Sequence, residues 1–328
     1  MSFPATRLRR LRQNAVIRSL VQEHAIRAEQ LVLPVFVVPG QNIEEPVEGF
    51  FDVKRRSVDK LMAVCDEALT AGVQTLALFP VLDASVKDLK GHEALNPEGL
   101  VPQVAQTIKS NFPELMLVAD VALDPYTSHG QDGIIDDKGK ILNDETVAVL
   151  AKQALISAQS GIDVVAPSDM MDGRVGVIRE TLESNGCTDT IILSYAAKYC
   201  SAFYGPFREA VKSKACLAKA DKKTYQMDPA NTAEALREIQ SDIEEGADCV
   251  MVKPGLPYLD IITQAKAAFD VPIFAYQVSG EYAMLKAAAQ ARAIDYEQGL
   301  MESLLALKRA GASGIFTYAA LEAAALLR

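Results

Sequence analysis

Short runs in which nearly every residue is apolar recur along the chain, separated by longer stretches whose apolar positions return every three or four residues. The short runs fall at 31–38 (LVLPVFVV), 74–79 (QTLALF), 115–123 (LMLVADVAL) and 163–167 (DVVAP). Four more follow at 191–197 (IILSYAA), 249–253 (CVMVK), 272–278 (PIFAYQV) and 314–319 (GIFTYA). Runs apolar on both faces suit parallel strands covered on each side. The stretches between them predict helices over 57–71, 98–111, 144–160, 172–185, 231–245, 258–269 and 295–310. Glycines at 72, 161, 186, 246 and 311 stand where helices must turn into the next strand. Ser57 with Lys60, Asn143-Asp144-Glu145, and Asn231 with Glu234 predict helix starts.

Eight strands alternating with helices predict an α/β fold, a closed (β/α)8 TIM barrel. An open doubly wound sheet is the rival, but no GxGxxG follows the first strand. The 328 residues fit one decorated barrel over 31–328, preceded by a segment, 1–30, that lies outside the alternation. The basic, acid-poor start (MSFPATRLRRLRQNAVIRSLV) resembles a mitochondrial presequence less than an extension that packs on something. The connection 124–143 is long for a barrel, and long loops are often functional.

A net charge of −10 argues against nucleic acid or an anionic membrane as partner, while leaving room for a local basic site. No run approaches the length of a spanning helix. Five cysteines (Cys65, Cys187, Cys200, Cys216, Cys249) without CxxC spacing read as reduced thiols of a cytoplasmic protein.

In such a barrel the chemistry sits at the C-terminal ends of the strands. Asp120 and Asp124 end the third, Ser168 and Asp169 the fourth, Lys198 the fifth, Lys253 the sixth, Ser279 the seventh and Tyr318 the eighth. A lysine in a barrel mouth either pairs with an aspartate and closes the barrel, or serves as a nucleophile. Two on adjacent strand ends favour the second use: a neighbouring ammonium in apolar surroundings lowers a lysine's proton affinity and frees it to attack carbonyls. The stretch 198–223 carries Arg208, Lys212, Lys214, Lys219, Lys222 and Lys223 against Glu209 and Asp221, interleaved with Phe203, Tyr204 and Phe207. It reads as a lid for carboxylates, with Lys212 and Lys214 better read as a solvated face.

Several motifs are also recognisable. GADCVMVKPGLPYLD (246–260), DVALDPYTSHGQDG (120–133), APSDMMDGRVGVIRE (166–180), SYAAKYCSAFYGPFREA (194–210), DKKTYQMDPANTAEALRE (221–238), PVFV (34–37) and YQVSGEY (276–282) run in order through the chain. Together they resemble the porphobilinogen synthase, or 5-aminolevulinate dehydratase, family. The resemblance implies condensation of two 5-aminolevulinate molecules to porphobilinogen, an early step of tetrapyrrole (heme) biosynthesis. It implies a Schiff base at Lys253 with the first-bound substrate, and Lys198 holding the second. It further implies Ser279 and Tyr318 on the first carboxylate, and Arg208, Lys222 and Gln226 on the second. Asp120, Asp124 and Asp132 would line the reacting centre, Tyr204 and Phe207 would cover it, and Ser168 would form its floor. A class I aldolase shares the barrel and one such lysine, and a scaffold barrel would leave both lysines unexplained.

The resemblance also bears on metals and assembly. Zinc-dependent members carry three cysteines after the third strand; here the positions hold Ala122, Asp124 and Asp132, so no catalytic zinc is expected. This matches the aspartate-rich branch stimulated by Mg2+ outside the active centre, implied at Glu238, with Asp169 touching the metal's waters. Read alone, Glu238 is an ordinary helical glutamate. Asp136-Asp137 with Gly139 lacks EF-hand spacing and reads as a polar turn, and His129 alone supplies no metal site. Residues 1–30 would form the arm that assembles a homo-octamer, burying Leu8, Leu11, Val16, Ile17 and Leu20, with Arg7, Arg9, Arg10 and Arg12 in polar contacts. Mg2+ at Glu238 would stabilise that assembly.

Overall fold

The computed structural model describes residues 2–211 and 221–328. Eight parallel strands carry the sheet: β1 (Leu31–Val37), β2 (Thr75–Pro80), β3 (Met116–Val121), β4 (Val164–Pro167), β5 (Ile191–Lys198), β6 (Cys249–Lys253), β7 (Ile273–Gln277) and β8 (Gly314–Thr317). Each pairs with its neighbours in sequence, and β1 closes on β8 through Leu31↔Ile315 and Val32↔Phe316. The expected TIM barrel is therefore the observed fold. Every residue of β1 is buried, because helices cover one face and barrel side chains the other.

The described helices are α1 (Ala15–Leu20), α2 (Val58–Ala71), α3 (Leu100–Asn111), α4 (Asn143–Gln159), α5 (Arg174–Ser184), α6 (Gly205–Ala210), α7 (Ala233–Glu244), α8 (Leu259–Ala268), α9 (Ser279–Gln290), α10 (Tyr296–Ala310) and α11 (Ala320–Leu326). All five expected glycines adopt positive φ, from 75° to 120°. The expected caps fare worse. Ser57 Oγ accepts from Ile43 N–H at 2.9 Å and donates to Asp59 at 2.6 Å instead of capping α2. Asn143 begins α4 but is bonded across to Asp172, and Asn231 bonds Glu234 one residue before the N-cap Thr232. In each case a tertiary or neighbouring partner has captured the polar side chain.

Additions to the barrel frame its mouth. An antiparallel hairpin, Glu44–Pro46 with Lys54–Arg56, extends the end of β1, and α9 follows β7 before the barrel helix α10. Asp136 to Lys140 forms the polar turn expected there, with Asp136 accepting from Lys138 and Lys140. The leading segment before Ile26 holds a short 3-10 turn and α1, neither with a buried residue.

Candidate active site

Lys198 and Lys253 are direct partners in the β5–β6 register. The register there contains a bulge: Ser194 pairs with Val250 and Ala197 with Val252, so Tyr195 and Ala196 together oppose Met251. One extra residue inverts the alternation beyond it. Tyr195 and Lys198, three apart, thereby both face the interior, where an unbroken strand would have sent Lys198 outward. Tyr195, Tyr276 and Phe316 fill the barrel below, with Tyr276 and Phe316 centroids 5.2 Å apart.

Lys253 Nζ stands on this aromatic layer, 4.5 Å from the Tyr276 ring and 4.9 Å from Tyr195, with Phe207 at 5.2 Å and Tyr204 at 5.5 Å. Burial, reinforced by the Lys198 ammonium, pulls its pKa down to about 7 against the attraction of Asp120, Asp124 and Asp132. Its ammonium thus gives up its proton more readily than an ordinary lysine's. Lys198 Nζ donates to the Ser168 carbonyl and lies 3.8 Å from Asp132.

The three aspartates differ in circumstance. Burial pushes Asp120 up to about 6 against Lys198, and its Oδ1 is enclosed without a hydrogen-bond partner among the described residues. Lys222 Nζ bridges Asp124 at 3.2 Å and Asp132 at 3.1 Å. Burial also raises Asp124, despite Lys222. For Asp132 the same burial penalty is outweighed by Lys198 and Lys222, which hold it below the usual carboxylate range. Lys222 in turn is raised, its two aspartates overcoming its own burial. Asp120 and Asp124, raised, beside Asp132, held low, give one pocket carboxyl groups of different proton affinity.

Asp120, Asp124, Asp132, Ser168, Lys198 and Lys253 line that pocket, joined by Tyr204, Phe207, Arg208, Lys222 and Gln226 from the segment above it. Tyr204 donates to the Lys253 carbonyl at 3.2 Å, and Gln226 Oε1 is buried without a partner among the described residues. Ser279 and Tyr318 stand one layer back. Ser279 Oγ accepts from Phe207 N–H at 3.1 Å and donates to the Phe203 carbonyl at 3.2 Å; Tyr318 OH meets Tyr276 OH at 2.9 Å. Lys212, Lys214 and Lys219 lie outside the described residues.

Three contributors were not expected from the sequence. Arg55, on the hairpin, donates to the carbonyls of Ala210 at 2.7 Å and Glu209 at 2.6 Å, tying down the end of α6. In the run Lys54-Arg55-Arg56 it reads as one more solvated charge, and only the tertiary fold singles it out. Gln131 and Tyr225 join the loop after β3 to the 221–226 segment at 2.6 Å, with Tyr225 OH also accepting from Asp132 N–H. Their side chains carried no signal beyond membership of the quoted motifs.

Glu238 lies on α7, apart from the pocket. Burial holds its carboxyl above the ordinary value despite Arg174, with Asp242, Asp172 and Glu234 adding repulsion. A half-buried carboxylate among others is an electrostatic deficit that a hydrated dication would relieve. Asp169 is fully buried, accepting from Met171 N–H at 2.7 Å and lying 3.5 Å from Arg174, which also pairs with Asp242 at 3.1 Å. Arg174 thus faces both Asp169 and the acidic cleft. Among the described residues no His, Cys, Asp or Glu cluster is arranged to grip a bare metal ion.

The delta-aminolevulinic acid dehydratase family model matches residues 5–326. A delta-aminolevulinic acid dehydratase of Bradyrhizobium diazoefficiens is 53% identical over 324 residues, 99% of this chain and 91% of that protein. One from Rhodobacter capsulatus is 48% identical over 327 residues, covering 99% and 97%. The crystal structure of the Toxoplasma gondii enzyme, in complex with its reaction product porphobilinogen, superposes with a TM-score of 0.96 at 48% identity, covering 98% of this chain and 91% of that one.

Proposed function

This chain belongs to the delta-aminolevulinic acid dehydratase family and condenses two 5-aminolevulinate molecules into porphobilinogen, and we propose that Lys253 and Lys198 divide the two substrates between them. The observation carrying this reading is the pair itself: a lysine on four aromatic rings, pulled toward neutrality, facing a second lysine across one strand register.

Lys253 Nζ attacks the ketone of the first substrate, water leaves, and an iminium forms. Lys198 forms a second iminium with the ketone of the other substrate, releasing a second water. That iminium makes the proton on its adjacent carbon removable, and the resulting enamine attacks the Lys253 iminium carbon to form the carbon–carbon bond. The amine of the Lys253-bound substrate then attacks the Lys198 iminium carbon and displaces the Lys198 nitrogen, making the carbon–nitrogen bond. Expulsion of the Lys253 nitrogen, with proton loss from the ring carbons, gives the aromatic pyrrole and frees both lysines; two waters have left in total, one at each iminium. Asp120, Asp124 and Asp132 surround these proton transfers.

Arg208, Lys222 and Gln226 bind the second carboxylate, and Ser279 and Tyr318 the first. For Ser279 this requires sharing the hydroxyl now used by Phe207 and Phe203. Tyr204 and Phe207 cover the iminium and exclude water.

We further place the chain in the magnesium-stimulated branch of the family. Asp124 and Asp132 stand where zinc-binding members carry thiols, and both are committed to Lys222. Glu238 would hold hydrated Mg2+, which supplies positive charge to the acidic cleft; Asp169 would reach that shell only past Arg174. Residues 1–30 would form the arm of a homo-octamer. No helix among the described residues is long and apolar enough to cross a membrane, and the described cysteines are free.

Borohydride reduction in the presence of 5-aminolevulinate, followed by peptide mass mapping, tests the lysine assignment. An adduct on Lys253, with porphobilinogen formed before quenching, is the expected result. Turnover without an adduct on either lysine would overturn it.

A further inference from the structure

Behind Lys253 stands a buried carboxylate that none of these steps uses. Glu281, in the first turn of α9, is 0% exposed, and its oxygens accept three backbone amides. Leu256 N–H donates at 2.6 Å and Gly255 N–H at 3.3 Å, both from the turn that follows Lys253. The third donor, Val278 N–H at 2.7 Å, immediately precedes Ser279. Burial pushes the Glu281 carboxyl up to about 7, against these three amides that stabilise its ionised form. Neither turn has slack. A Cβ on Gly255 would come within 2.8 Å of Leu307 and 3.1 Å of the Tyr276 carbonyl, and one on Gly280 within 2.5 Å of the Phe203 carbonyl.

The carboxylate therefore ties the strand end bearing Lys253 to the strand end bearing Ser279. Those two residues are assigned above to the two ends of one substrate, whose ketone and carboxylate are separated by two methylenes. We infer that Glu281 is a positioning residue that sets the spacing between Lys253 and Ser279, and so matches the site to a short γ-keto acid. The inference rests on the proposed assignment of both residues to the first-bound substrate.

Two probes separate spacing from lysine reactivity. 4-Oxopentanoate carries the ketone and the carboxylate, whereas 2-pentanone carries the ketone alone. Each is reduced onto the intact enzyme with borohydride, and the adduct at Lys253 is quantified by peptide mapping. Wild-type enzyme is expected to trap the keto acid at far lower concentration than the ketone. Glu281→Gln places an amide N–H among three N–H donors, and is expected to shrink that advantage about tenfold while ketone trapping stays within about twofold. Glu281→Asp keeps the charge but withdraws it by one methylene; it should show a smaller loss in the same direction, and carries the test if the glutamine variant does not fold. An unchanged advantage, or a parallel fall for both probes, would overturn the positioning role while leaving the lysine assignment intact. Absence of a Lys253 adduct with either probe in wild type would overturn the lysine assignment and this inference with it.

Discussion

The attack proposed for Lys253 is prepared by its surroundings rather than by a single base. Four rings strip its water, and Lys198 adds repulsion that the aspartates only partly cancel. The sign of the pH dependence follows: below about 7 the group is an ammonium and cannot attack, so the rate of borohydride-trapped adduct formation at Lys253 should rise as pH passes upward through that value. Replacing Lys198 by methionine removes the repulsion and should move the midpoint upward. A shift of one pH unit would cost about tenfold in amine at pH below the midpoint. Stopped-time trapping from pH 5.5 to 9, mapped to Lys253 alone, measures it. A midpoint that stays put or falls would show that burial acts without Lys198.

At the scale of elements, the cover over Lys253 depends on a contact from a distant hairpin. The helix α6 has six residues, too few to be stable alone, yet it carries Phe207 and Arg208 into the pocket. Arg55 satisfies its final carbonyls through two charge-assisted hydrogen bonds, each worth about 1.5–3 kcal/mol. Arg55→Ala is expected to raise KM about tenfold and to speed amide hydrogen exchange across 205–211 while leaving strand amides protected. Unchanged exchange there would mean α6 is held by its ring contacts with Phe36 and Phe79. The same elements show what the sequence could and could not disclose. All eight strands and the seven expected helices were legible from periodicity, because burial on both faces leaves its mark locally. The β5 bulge, the hairpin and α9 were not. A bulge is a register event visible only against the partner strand, and Arg55 gains its role from a residue 155 positions away. Helix caps misled for a related reason, since Ser57 and Asn143 found tertiary partners. The pocket residues were legible through their motifs, while the placement of Ser279 and Tyr318 behind the pocket wall emerged only in three dimensions.

For the whole molecule, the leading segment poses an energetic problem that assembly would solve. Leu8, Leu11, Val16 and Leu20 are 70%, 51%, 78% and 78% exposed, while arginines crowd the same stretch. Burying four such side chains would contribute roughly 6–12 kcal/mol per arm. Association costs about 4–15 kcal/mol in lost freedom, so the arm alone comes close to balance and a modest additional term decides the outcome. Mg2+ bound at Glu238 only in the assembled state would supply such a term, growing with the logarithm of its concentration. Two sedimentation-velocity experiments separate the contributions. Deleting residues 1–22, which stops short of the buried Ile26, should lower the sedimentation coefficient to that of a smaller assembly with barrel circular dichroism unchanged. Removing Mg2+ with a chelator should shift intact enzyme toward the same smaller species and lower its activity, and Glu238→Ala should reproduce that shift with Mg2+ present. If the truncated chain sediments as the intact one does, the arm is not the assembling element. Should the intact enzyme keep both its size and its activity without Mg2+, the link between metal and assembly fails, and the acidic cleft around Glu238 has no part in holding the subunits together.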